Sequence, residues 1–101
     1  MKGVTILKEI LVKDSDNVQA ILSLGLLSIQ SGQLDKAEQR FKKLISLQPF
    51  NPEYYYYLAE VYAKSGRKEE AIKTYEMCKS ILKDAKAKKE IDDIIKQLKN
   101  T

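Results

Sequence analysis

Apolar residues fall three or four places apart along most of this chain, the spacing that gathers them on one face of an α-helix. In "QLDKAEQRFKKLISLQP" that face is Leu34, Ala37, Phe41, Leu44 and Leu47. In "RKEEAIKTYEMCKSIL" it is Ala71, Tyr75, Cys78 and Leu82. A richer apolar run precedes each, "VQAILSLGLLSIQSG" and "PEYYYYLAEVYAKSG", and both runs end in Ser-Gly, a helix stop at a residue tolerant of positive φ. Asp35 is expected to N-cap its helix, with Glu38 three residues on as capping-box partner. Pro49 and Pro52 punctuate the join between the two helix pairs. The closing stretch "KAKKEIDDIIKQLK" carries Ala87, Ile91, Ile94, Ile95 and Leu98 on one face and charge on the other. Continued from Ala71, Tyr75, Cys78 and Leu82, the preceding stripe would run into Lys89 and Asp92, so a turn is predicted between Lys83 and Ala87 without Gly or Pro. The pattern predicts helices over residues 4–13, 18–31, 35–47, 52–65, 69–82 and 87–98, and no strand.

Tyr54 to Tyr57 stand in a row, and four neighbours on a helix sweep nearly its whole circumference. Tyr55, Leu58, Ala59 and Tyr62 form the expected core stripe, with Tyr54 at its margin, packing on the preceding unit near Phe50, and Tyr56 and Tyr57 off it. The earlier run has the same excess. Its core stripe is Ile21, Leu24, Gly25 and Ser28, yet Leu22, Leu26 and Ile29 make a second apolar row. A helix apolar nearly all round is covered on more than one side.

The chain also repeats itself. Residues 18–51 laid against 52–85, an offset of 34, set Leu24 on Leu58, Gly25 on Ala59, Gly32 on Gly66, Ala37 on Ala71, Phe41 on Tyr75 and Leu44 on Cys78. In period and residue type this resembles the tetratricopeptide repeat family. Ile21, Leu24-Gly25, Gly32, Ala37, Phe41, Leu44 and Pro49 match its signature in the first unit, which departs at Ser28, where an aromatic is expected. Tyr55, Leu58-Ala59, Tyr62, Gly66, Ala71, Tyr75 and Cys78 match it in the second, which departs at Lys83, where proline is expected. The resemblance implies an all-α fold, a right-handed superhelical stack of antiparallel helix pairs, with a concave groove lined by the first helix of each pair. It implies extended or helical peptides as partners.

One period earlier, Gly3, Leu7, Ile10 and Asn17 lie under Ala37, Phe41, Leu44 and Asn51. The expected organisation is a single repeat domain over 1–101: residues 3–14 as the second helix of a truncated repeat, repeats at 18–51 and 52–85, and a C-terminal solvating helix at 86–99. A repeat cannot bury its face alone, so the chain is expected to be either a segment of a longer array, the favoured reading, or a compact module whose opening helix is borrowed from that design.

Composition narrows the chemistry. The chain of 101 residues contains no histidine and one cysteine, which removes the commonest general base and the usual His/Cys zinc sites. Cys78 reads as a small buried residue rather than a reactive thiol. Glu53, Glu60, Glu69 and Glu70 are joined by no nucleophile, metal cluster or phosphate loop, so neither an enzyme nor a cofactor is expected. Net charge is +4, but only Arg40 and Arg67 are arginine, and the lysines of the last quarter alternate with Asp and Glu and hold no aromatic residue. That is a solvated helix face rather than a nucleic-acid surface. No apolar run is long enough to cross a membrane, and a cytoplasmic setting is the default.

By the family's geometry Tyr56 and Tyr57 face the groove with Glu53, Glu60 and Lys64, and Leu22, Leu26 and Ile29 continue the apolar surface. Three occupants compete for that surface: a terminal helix folding over it, a peptide or amphipathic helix, and a second copy in a homodimer. In the family's chaperone-tail binders groove Lys and Asn residues clamp a terminal carboxylate. Leu22 and Leu26 stand in those places here, which points to an apolar or aromatic ligand.

Overall fold

The computed structural model describes residues 17–101. Among them are five helices and no strand: α1 (Val18–Gln30), α2 (Leu34–Leu47), α3 (Pro52–Lys64), α4 (Lys68–Ile81) and α5 (Ala85–Lys99). The helix expected over 4–13 lies outside the described residues. The chain divides into two compact units, one ending at Pro49 and one spanning Phe50–Thr101.

In the first unit α1 packs on α2. Asn17 caps α1 by accepting from the Ala20 N–H at 2.9 Å. At the other end Gly32 takes φ +76°, and the Gln33 and Gly32 amides donate back to the Ser28 and Ile29 carbonyls at 2.8 and 3.1 Å. This six-to-one and five-to-two pair closes the helix and turns the chain straight into α2. The turn is so short that α2 has already begun at Leu34, with the Gln33 carbonyl accepting from Ala37. Asp35 therefore sits inside the first turn, where its charge meets the helix dipole, and is not the N-cap that the sequence suggested. Glu38 pairs with Lys42 at 2.8 Å. The unit's core joins Ala20, Ile21, Leu24 and Gly25 to Ala37, Phe41 and Leu44. Ser28, in place of the aromatic, is buried as well, and its hydroxyl is satisfied by donating to the Leu24 carbonyl at 2.8 Å.

The second unit repeats the turn. Gly66 has φ +77°, and the Arg67 and Gly66 amides donate to the Tyr62 and Ala63 carbonyls at 2.9 and 3.2 Å. Arg67 then lies over the Tyr62 ring, 4.5 Å from its centroid, and forks onto Glu70 at 2.8 and 2.6 Å. Helix α3 packs on α4, and α4 on α5. The chain leaves helix at Leu82–Asp84, overlapping the start of the expected turn but ending two residues sooner, and Asp84 caps α5 through the Lys86 N–H. Ile91 and Ile95 are buried, with Ala87, Ile94 and Leu98 half-buried beside them. Lys79 reaches Asp92 at 2.7 Å, tying α4 to α5.

Tyr55, Leu58, Ala59 and Tyr62 are buried as the stripe required. So are Tyr54 (3% exposed) and Val61 (0%), which with Leu58 form a second buried row, four then three residues apart. Tyr54 is therefore core rather than marginal, while Phe50 stands 81% exposed. The additional burial of α3 lies on the row of Tyr54, Leu58 and Val61, on the opposite flank of the core stripe from Tyr56 and Glu60.

Candidate functional site

An open pocket of about 210 Å³ lies within the second unit. Pro52, Glu53 and Tyr56 supply one wall from the N-terminal half of α3, Cys78 and Leu82 another from the end of α4, and Ala87, Glu90 and Ile91 the third from α5. Proline at the start of α3 fixes the entry of that helix, and the Asn51 side chain accepts from the Glu53 N–H at 3.0 Å. The Cys78 thiol donates to the Pro52 carbonyl at 3.3 Å, a bond between the last turn of α4 and the first of α3 that satisfies the sulfur. Burial pushes the Cys78 thiol pKa up, so it stays protonated. It is packing, not a nucleophile.

Tyr56 is the centre of an edge-to-face aromatic cluster. Its ring stands 5.7 Å from Tyr57 at 80° and 5.9 Å from Tyr75 at 72°. Burial raises the Tyr56 phenol above its ordinary range, and the negative charges of Glu60 and Glu90 add to the rise. Tyr75 is pushed further, to about 12, by burial first and then by Tyr56 and Glu60 beside it. Both rings are neutral hydrogen-bonding and packing groups at neutral pH.

Of the residues singled out in the sequence, Glu53 and Tyr56 line this pocket, and Tyr57 supports it edge-on. Glu60 and Lys64 stand along α3 as an i,i+4 pair at 4.0 Å, Glu60 near enough to Tyr56 to act on its charge. Leu22, Leu26 and Ile29 belong to the first unit, where each is half-buried on α1. The pocket's other walls, from Cys78 to Ile91, were visible in the sequence only as core stripes of their own helices. Their signal was the shift of apolar phase after Leu82, which aims α5 across the end of α4. Among the described residues no group of carboxylates and thiols is placed to hold a metal ion, and no helix is long and apolar enough to cross a membrane.

Solved structures share this fold. SycD, the type III secretion translocator chaperone of Yersinia enterocolitica, superposes with a TM-score of 0.86 at 16% identity, over 95% of this chain and 69% of that one. SycD in complex with a peptide of the translocator YopD gives 0.85 at 16% identity, over 95% and 76%. MamA gives 0.83 at 21% identity, over 96% of this chain and 55% of that one, so the chain spans about half of MamA's length. Identities this low establish the fold alone. No curated protein matches the chain in sequence. A family model described as tetratricopeptide repeat matches residues 7–79, and the chain belongs to that family.

Proposed function

We propose that this chain is a non-catalytic protein–protein interaction module that binds a peptide or helix on the exposed faces of its repeats, at 18–51 and 52–85. The observation that carries the reading is the pocket around Tyr56: open, largely apolar, walled by three helices, with its one thiol bonded to the Pro52 carbonyl and held protonated by burial. Such a pocket takes an anchor side chain and does no chemistry on it. Tyr56 and Tyr57 give broad contact at low entropic cost, and Glu53, Glu60 and Lys64 supply a polar rim. SycD, of the same fold, has been solved in complex with a peptide, which supports peptide capture as the use of this fold here. Titrating amphipathic helical peptides into the isotope-labelled chain tests this. Shifts should centre on Tyr56 and the start of α5 and vanish in Tyr56→Ala; turnover of any substrate by the pure protein would sink the reading.

A second reading rests on Leu22, Leu26 and Ile29, an apolar row on α1 that keeps part of its surface exposed. A homodimer built on that row would bury it.

A further inference from the structure

Resting on the peptide-binding reading above, we propose that the pocket of α3, α4 and α5 accepts one apolar side chain of a partner peptide whose flanking residues are lysine or arginine. Size argues for a single anchor. At about 210 Å³ the pocket is smaller than the roughly 300–1,000 Å³ of sites that enclose whole small molecules. Polarity argues for an aliphatic or aromatic tip, since Tyr56, Cys78, Leu82, Ala87 and Ile91 form the walls and the thiol is already bonded to Pro52.

The charge at the mouth sets what flanks that tip. The chain carries a net +4, yet the two charged residues lining the pocket are both carboxylates, Glu53 from α3 and Glu90 from α5. Glu60, further along α3, is paired with Lys64 at 4.0 Å and lies outside the lining. Among the described residues neither Glu53 nor Glu90 is held in an ion pair, although lysines abound on α5. Unpaired carboxylates at the rim of an apolar pocket attract cations and repel anions. A peptide's terminal carboxylate finds no welcome here. It would face Glu53 and Glu90, and the helix N-termini on either side are already bonded by Asn51 and Asp84.

Three acetylated and amidated helical peptides of equal length make the test: leucine flanked by lysines, leucine flanked by glutamates, and alanine flanked by lysines. Each is titrated into the full isotope-labelled chain at low salt. The lysine-flanked leucine peptide should shift the amides of Tyr56, Cys78, Ala87 and Ile91 and bind about tenfold tighter than the other two. In Glu53→Gln/Glu90→Gln, with its circular dichroism unchanged, the preference for lysine over glutamate should fall to within about threefold. Ala87→Phe, which fills the pocket from α5, should lose the leucine-dependent binding altogether. Equal binding of the two leucine peptides, or a lysine preference that survives the double substitution, would overturn the cationic partner and leave the peptide pocket standing. Failure of all three peptides to bind, or undiminished binding by folded Ala87→Phe, would overturn the pocket itself.

Discussion

A methyl group built on Gly25 would stand 3.0 Å from two atoms of the Phe41 ring. The ring is fully buried at 0% exposure, so the close approach of α1 to α2 at this point relies on position 25 having no side chain. Gly25→Leu should therefore cost roughly 1–3 kcal/mol or more, despite a gain of up to about 1 kcal/mol in helix propensity. Thermal or urea unfolding reads this directly. In Gly25→Leu/Phe41→Leu the smaller partner should return part of the loss, a favourable coupling of at least about 0.5 kcal/mol in the double-mutant cycle. An unchanged melting temperature in the single variant would mean that the two helices do not meet there.

The tyrosine row separates by burial. Tyr55 is 7% exposed within the core of the second unit, and Tyr55→Ala should cost roughly 3–5 kcal/mol. Tyr57 is half-buried with its ring edge against Tyr56, so Tyr57→Ala should stay within about 1 kcal/mol. Tyr56 lies between them. It packs edge-on against both Tyr57 and Tyr75, and Tyr56→Ala should cost about 1–2 kcal/mol while leaving the helical signal intact. Chemical denaturation of the three variants would show the order, and a Tyr56 variant as damaged as Tyr55 would remove it from the ligand-facing set.

Helix positions were legible in the sequence because helix period, Ser-Gly stops and the internal repeat all spoke for the same boundaries. What it hid has three physical origins. The cap at Asp35 was misplaced because side-chain preference says nothing of how fast the backbone turns; bonds from Gln33 and Gly32 back into α1 start α2 a residue early. Tyr54 and Val61 were missed because matching one repeat to another exposes only rows present in both, and their counterparts Ala20 and Leu27 are a small residue and a half-buried one. The pocket was hidden for a third reason. Its walls run from Pro52 to Ile91 and meet only when α5 is laid on α4, a relation that no single helix pattern carries.

Alkaline pH should weaken the second unit through Tyr75. Its folded pKa, about 12, lies above the ordinary value of 10.0, so the fold holds the phenolic proton more tightly than the unfolded chain does. The contribution is fully present below about pH 10 and is lost as pH rises through about 12, since the unfolded chain ionises first. Tyr56 and Cys78 are also raised, and act in the same direction. Tyr75→Phe keeps the ring and removes the titration. The difference in stability between wild type and this variant should be flat to about pH 9 and change by about 2 kcal/mol across the window, in the variant's favour. Ultraviolet titration should show one tyrosine fewer in the highest-pH class.

Leu26 decides between the two readings of the α1 face. It sits between Leu22 and Ile29 in a row that is half-buried along its length, and a carboxylate there would be intolerable inside any apolar interface built on that row. Under the peptide-binding reading the wild-type chain sediments as a monomer at every concentration, and Leu26→Glu does the same with a loss of stability under about 2 kcal/mol. The variant then loses affinity for amphipathic peptides whose shifts reach α1. Under the dimer reading the wild type shows a concentration-dependent sedimentation coefficient, and Leu26→Glu abolishes it without unfolding the chain. Ultracentrifugation across a hundredfold concentration range, paired with a melt of each protein, tells these apart. A variant that keeps both its oligomeric state and its peptides would take Leu22, Leu26 and Ile29 out of the binding face and leave Tyr56 and its pocket to carry recognition alone.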